Sequence, residues 1–301
     1  MDGTGRDGLT AVQRRALGRL REGWGRMDGR AVLVTGATRG IGLETATRLA
    51  GLGADVLVHG RDQGRGAAAL AAVRAASRPC AAPGLYLAGL DSLAGVRRLA
   101  ADVCCDRPRL DVLVANAGVF APERHVTEDG LELTFAVNVV APLVLAVTLL
   151  PALRAAAPSR VVIVSSASHW TGAIRWSDLQ LAAPGAYDGI AAYDQSKLAV
   201  TMLTLALARR LEGSGVSAVC LDPGDVATGM LARGWPELPG IPVESGAMTG
   251  VYLASAPAAA GISGVYFEDG APVTPPAAAL DAGARERLWA AVEELAGTLR
   301  V

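Results

Sequence analysis

Short apolar runs recur along the chain with little polar alternation inside them: AVLV (31–34), DVLV (55–58), LYLA (85–88), DVLVAN (111–116), RVVIVSS (160–166), VSAVCLD (216–222) and GVYFE (264–268). Strands buried on both faces read this way. Between them lie Ala- and Leu-rich stretches with helical spacing, at about 41–50, 64–76, 92–103, 128–157, 193–213 and 246–255. Regular strand–helix alternation predicts an α/β fold, a doubly wound and predominantly seven-stranded parallel sheet with helices on both faces.

Two stretches stand apart from that series. Residues 10–24 carry Val12, Ala16, Leu17, Leu20 and Trp24 at helical spacing, with Arg14, Arg15 and Arg21 off the stripe. This predicts a short basic amphipathic helix in an N-terminal extension (1–28), docked on its own domain or a sister subunit. Residues 135–153 have about the length of a membrane span, yet they contain Asn138, Pro142 and Pro151. They are expected as a helix buried in the core or at a subunit interface, compatible with a homodimer or homotetramer. No Pro/Ser/Gly linker and no fixed-period repeat divides the rest, so residues 29–301 are expected to form one domain.

Composition narrows the function. The 51% hydrophobic content supports a sizeable core, and a net charge of −1 offers no basic field for nucleic acid. Cys80, Cys104, Cys105 and Cys220 have neither disulfide density nor metal spacing, and His59, His125 and His169 lie far apart. No metal is expected, and a reducing cytoplasmic location without membrane insertion fits best. The N-terminus has no apolar segment of the kind a secretory signal needs.

The first strand runs directly into TGATRGIG (35–42) and then a helix. Glycines at 36, 40 and 42 permit a tight turn, clear side chains from a pyrophosphate and leave helix N–H groups facing its oxygens. This is a Rossmann-type dinucleotide site in the context that supports it.

The TGxxxGxG spacing, Asn116-Ala117-Gly118 after the fourth strand, Asn138, Tyr193-Asp-Gln-Ser-Lys197 and PGDVAT (223–228) occur in an order that resembles the short-chain dehydrogenase/reductase family, from about residue 30 to 228. The resemblance implies cofactor contacts from Gly36, Thr38, Arg39, Gly40, Ile41, Gly42, Arg61, Asp91, Asn116, Ala117, Gly118, Tyr193, Lys197, Pro223, Gly224, Val226 and Thr228. In the family an Asp after the third strand meets the adenine amine. Counting from the strand gives Asp91, whereas counting back from the next helix gives Gly89.

A carboxylate at the end of strand two selects NAD by accepting from the ribose 2′-OH. Here that position is Gly60, followed by Arg61, and Arg39 sits just before the second glycine. Two guanidiniums favour the 2′-phosphate, so the cofactor is expected to be NADP(H).

Lys197 is the single lysine among 28 basic residues, and it falls four residues after Tyr193. At that helical spacing the side chains are neighbours. An ammonium about 5 Å from a phenol stabilises the tyrosinate by roughly 3 kcal/mol at an effective dielectric of about 20, which would bring the phenol near working pH. By resemblance, Ser166 rather than Ser165 holds the substrate oxygen, and Asn138 positions a water that links Lys197 to solvent. The implied reaction is hydride transfer between nicotinamide and a carbonyl or alcohol of a small-molecule substrate. An epimerase, dehydratase or cyclase using the same pair without net redox is the alternative.

The 27-residue interval from Ser166 to Tyr193, the SSASH ending at His169 and the C-terminal GVYFEDG to ERLWAAVEELAG (264–297) look most like the retinol-dehydrogenase-like branch, whose members mostly act on bulky apolar alcohols, aldehydes or ketones. The substrate pocket is expected from 168–192 and 229–245. Aromatics form only 4% of the chain, yet Trp170, Trp176, Tyr187 and Trp235 fall in these two stretches. Ser168, His169, Trp170, Tyr187, Met230 and Trp235 are the candidate substrate contacts. The dense Gly/Pro of GWPELPGIP suggests a lid.

Overall fold

A computed structural model of the chain describes residues 23–185 and 187–301. Its strands are β1 (Ala31–Val34), β2 (Asp55–Gly60), β3 (Gly84–Leu87), β4 (Val112–Ala115), β5 (Ser159–Val164), β6 (Val216–Leu221), β7 (Tyr266–Glu268) and β8 (Ala271–Val273). They form one sheet in the order β3-β2-β1-β4-β5-β6-β7-β8. Helices α1 (Gly40–Gly51), α2 (Gln63–Ala76) and α3 (Leu93–Asp106) accompany the first three strands. After β4 come α4 (Leu133–Phe135), a π segment (Ala136–Val140), α5 (Ala141–Thr148) and α6 (Leu150–Ala155). Then follow α7 (Gly189–Arg210), α8 (Leu231–Gly234), α9 (Val243–Gly246), α10 (Met248–Ser255), α11 (Ala277–Leu280) and α12 (Ala282–Ala296).

The strands are apolar throughout because both sheet faces are covered. Along β1, Leu33 faces a core with α3, α5, α7 and α12, while Val32 and Val34 face the opposite core with α1, α2 and α10. Every neighbouring pair from β3 through β7 is parallel. Strand order reverses between β1 and β4, which opens a crevice at their carboxyl ends where such sheets bind ligands.

The strand count differs from the expectation by one. β8 returns antiparallel on β7. Its three residues are mostly exposed and include Pro272, so no apolar run announces it. The turn does: Asp269 and Gly270 both have positive φ, 47° and 74°, the left-handed pair that Asp-Gly supplies to two-residue hairpins.

The expected helix at 128–157 is also broken. In its π segment the Ala141 N–H reaches back five residues to Ala136 O. Pro142 lacks an N–H, so an α-helical pattern would leave the Asn138 carbonyl without a donor. The apolar side chains from Ala141 to Val147 are buried within this chain, so the sequence argument for a subunit interface there loses its basis. Among the described residues no helix is long and apolar enough to cross a membrane.

The catalytic-motif helix α7 begins four residues earlier than the motif spacing predicts. Asp188 caps it, its carboxylate accepting from Ala191 N–H at 2.8 Å, which sets Tyr193 in the second turn. Most of the amphipathic stretch 10–24 lies outside the described residues. Trp24 and Met27, placed in the extension by the sequence pattern, pack against the α1/α10 core.

Candidate active site

The glycine-rich turn is built for close backbone approach. Gly36 and Gly40 adopt positive φ, 64° and 55°. A side chain at Gly42 would overlap Gly36 O and Asn116 Nδ2, and one at Gly36 would meet Ala117 Cα at 2.9 Å. Arg39 begins α1 without capping it through its side chain, so the first N–H groups of the helix are left to meet an anion. These residues fit a dinucleotide pyrophosphate. Gly42→Ala should cost about 1–3 kcal/mol of overpacking, weakening cofactor binding about fivefold or more in a fluorescence titration.

Asn116 is spent on the protein. Its N–H and that of Ala117 donate to Thr35 Oγ1, and its carboxamide donates to Thr35 O. The NAG segment thereby fixes the glycine turn against β4. His59, which the sequence pattern left without a role, does the same from β2: Gly36 N–H donates to its Nδ1 at 3.3 Å, and its Nε2 bonds Ala88 O at 3.1 Å. Burial lowers its pKa to about 4, so the ring is neutral and can accept that N–H. A buried histidine at the end of a strand was the available signal.

At the adenosine end, a Cβ at Gly60 would overlap Thr38 Cγ2. No acid fits there without displacing Thr38. Arg39 and Arg61 are both exposed, and Asp62 is engaged as the α2 cap, accepting from Arg65 N–H. The two ways of counting to the adenine position converge, because a Cβ at Gly89 would lie 2.5 Å from Asp91 Oδ1. The Asp91 carboxylate closes over Gly89. Thr228 lies beside Gly40, 3.5 Å from where a Cβ would stand, so the PGDVAT turn and the glycine turn border one crevice.

Tyr193 and Lys197 rise side by side from α7, with Lys197 Nζ 5.3 Å from the Tyr193 ring centroid. Both are buried, at 7% and 5% exposure. Lys197 Nζ donates to Val164 O at 3.1 Å, on the last residue of β5. Burial depresses the lysine to about 8, against a smaller opposing pull from Asp222. The same burial pushes the Tyr193 phenol well above its ordinary value, with Ser166 pulling it down and Asp222 pushing it up. Burial thus opposes the near-neutral phenol that pair spacing alone leads one to expect.

The two serines divide as the motif implies. Ser165 Oγ turns into α7, donating to Lys197 O at 3.1 Å and sharing a hydrogen bond with Thr201 Oγ1 at 2.8 Å. Ser166 Oγ lies against the phenol and accepts from Ser168 N–H. Ser168 thus contributes a backbone group to the serine turn.

The Asn138 side chain also has a structural task. Its Oδ1 accepts from Val119 N–H at 2.8 Å, and its Nδ2 donates to Val119 O and to Ser196 Oγ, both at 3.0 Å. Both amide hydrogens are used, so the side chain clamps the NAG loop to α7. Gly118 lies where Asn138, Met230 and Lys197 meet: its missing Cβ would stand 3.4 Å from Asn138 Oδ1, 3.8 Å from Met230 Cε and 3.9 Å from Lys197 Nζ.

A family model described as short chain dehydrogenase matches residues 30–178. The chain is 38% identical over 310 residues to human retinol dehydrogenase 14, covering 94% of this chain and 91% of the relative. It is 41% identical over 285 residues to mouse polyprenol dehydrogenase, covering 89% and 84%. This chain belongs to the short-chain dehydrogenase/reductase family. Its relatives place it in the retinol-dehydrogenase-like branch. Among solved structures, an uncharacterised protein from Mycobacterium paratuberculosis superposes with a TM-score of 0.76 at 32% identity, over 92% of this chain and 97% of that one. The RhlG/NADP active-site complex of Pseudomonas aeruginosa gives 0.68 at 28% identity, over 82% and 98%. Family members use NAD or NADP.

Around the phenol lies an aromatic enclosure. The Trp235 ring stands 5.2 Å from Tyr193 at 65°, and Phe120 stands 6.1 Å from Tyr193 and 5.3 Å from Trp235. Phe120 was missed because a lone aromatic two residues after Gly118 belongs to no periodic pattern.

Three other expected substrate contacts are engaged elsewhere. The Tyr187 hydroxyl donates to Ala121 O at 2.9 Å and to Glu132 Oε1 at 3.2 Å, which makes it a loop anchor. The buried Glu132 carboxylate also caps Thr134 and Phe135 N–H. His169 is fully buried, its Nδ1 bonding Ser166 O at 2.7 Å and its ring 4.3 Å from that of Tyr266. Trp170 is 47% exposed and rests on His169.

Proposed function

We propose that the protein is an NADP(H)-dependent oxidoreductase acting on a carbonyl or alcohol of a bulky, largely apolar substrate, as a ketoreductase that tailors natural products would. The observation that carries this is Tyr193 set beside Lys197 and Ser166 beneath the Trp235/Phe120 wall, at the mouth of a dinucleotide crevice. Bound NADP(H) supplies or accepts the hydride. The chain handles orientation and the proton.

Ser166 holds the substrate oxygen. Tyr193, kept protonated by burial, gives its proton to that oxygen in reduction and takes one back in oxidation. Lys197 holds its charge against the phenol and, through the Asn138 carbonyl, can exchange protons with water. The aromatic wall supplies flat apolar area for the substrate body, consistent with the retinol and polyprenol named for the relatives.

NADP(H) preference rests on Arg39 and Arg61, both exposed at the crevice, and on the steric closure of position 60. The test is initial-rate oxidation of NADPH and NADH against a panel of bulky apolar ketones and aldehydes, for the wild type and Arg61→Asp. The wild type should prefer NADPH. Loss of one guanidinium and gain of a repelling carboxylate should shift the preference toward NADH by about 1–3 kcal/mol, roughly fivefold to 150-fold. An unchanged ratio contradicts the assignment.

A further inference from the structure

Between β6 and the Pro223–Gly224 turn lies Asp222, which the chemistry above leaves without a task. It is 6% exposed. Its N–H donates to Phe267 O on β7 at 2.8 Å, and its Oδ1 accepts from Gly224 N–H at 3.1 Å. The Ala167 backbone also stabilises the carboxylate. Ala167 directly follows Ser166, and the preceding Ser165 N–H donates to Leu221 O at 2.7 Å. One buried carboxylate therefore meets both segments that flank the Tyr193 phenol.

A buried carboxylate is costly unless its lone pairs are used. Burial pushes Asp222 up to about 6, and the two backbone groups offset part of that rise. The titratable groups acting with it are Tyr193 and Lys197 on α7, Tyr266 and Glu268 on β7, and Asp225 in the turn. Its charge favours the Lys197 ammonium and disfavours tyrosinate at Tyr193 and Tyr266. The neighbouring Glu268 and Asp225 are acids and raise Asp222 further.

We propose that Asp222 is a positioning residue: its carboxylate couples the Ser166 segment to the Pro223–Gly224 turn and places a negative charge behind the Tyr193/Lys197 pair. This rests on Tyr193 and Lys197 being the proton-handling pair. Protonation as pH falls through about 6 loosens both backbone bonds that hold the Ser166 segment and the turn together. Turnover then has an acid limb near 6 that belongs to Asp222.

Asp222→Ala and Asp222→Asn test this in two ways. Amide hydrogen exchange, read without substrate or cofactor, should accelerate at Ala167 and Gly224 about tenfold or more in Asp222→Ala, while Val161 and Val162 in β5 keep their protection. Asp222→Asn retains an acceptor and should show a smaller acceleration, but its kcat profile should lose the acid limb. Unchanged exchange at both amides in Asp222→Ala overturns the coupling, and an acid limb surviving in Asp222→Asn overturns the assignment of that limb to Asp222. If Asp222→Ala does not fold, the asparagine variant decides on both readouts. Turnover that survives Tyr193→Phe would refute the site assignment separately, leaving the exchange result intact.

Discussion

Tyr193→Phe should lower kcat by about 10²–10⁴-fold while leaving NADPH affinity within about threefold. The substitution removes one hydroxyl and keeps the ring that packs against Phe120 and Trp235, so the enclosure survives. What disappears is the proton at the substrate oxygen. Because burial holds the phenol above its ordinary value, the resting enzyme carries that proton, which suits carbonyl reduction. Single-turnover kinetics with cofactor titration separates lost chemistry from lost binding. Undiminished turnover would remove Tyr193 from the mechanism.

Lys197→Arg should cost about 10²-fold or more in kcat even though charge is conserved. The lysine is enclosed, with a hydrogen bond to the Val164 carbonyl and a compact ammonium 5.3 Å from the ring. A planar guanidinium with five donors is too large for that space and cannot lose its proton at working pH. A depressed lysine also sets a pH dependence. The ammonium is lost as pH rises through about 8, and kcat/KM should fall with it. Folding linkage has the opposite sign: a lysine depressed from 10.5 to about 8 binds fewer protons folded than unfolded, so its own contribution to stability rises with pH across that window. Activity lost above pH 8 without any matching loss of melting temperature is therefore expected, and activity flat to pH 10 would contradict it.

Much of this was legible because the chemistry is clustered in order along the chain. Apolar runs located seven strands, since a sheet covered on both faces leaves no polar alternation to obscure them. The YxxxK spacing located the Tyr193/Lys197 pair because helical geometry fixes what four residues mean. Other features depend on contacts that no local pattern encodes. Phe120 reaches Tyr193 only through the tertiary path of the NAG loop, and Tyr187 finds Ala121 and Glu132 across more than fifty residues of chain. The proton balance depends on such contacts too: pair spacing yields the Coulomb attraction, whereas the burial of Tyr193 and Lys197 is set by the elements that close over them. Some features do carry a local mark in the sequence. Asp-Gly at 269–270 marks the hairpin, Pro142 marks the π break beside Asn138, and a charged Asp222 ending an apolar strand marks a buried carboxylate with work to do.

Hydride transfer at this site is the central claim, and isotope transfer tests it directly. The wild-type enzyme is given a bulky apolar ketone it converts, with NADPH deuterated at nicotinamide C4 on each face in turn, and the product is read by mass spectrometry and NMR. Deuterium should appear on the carbinol carbon from one face only, in step with NADPH consumed. Conversion that leaves the carbinol carbon unlabelled from both faces would contradict the account.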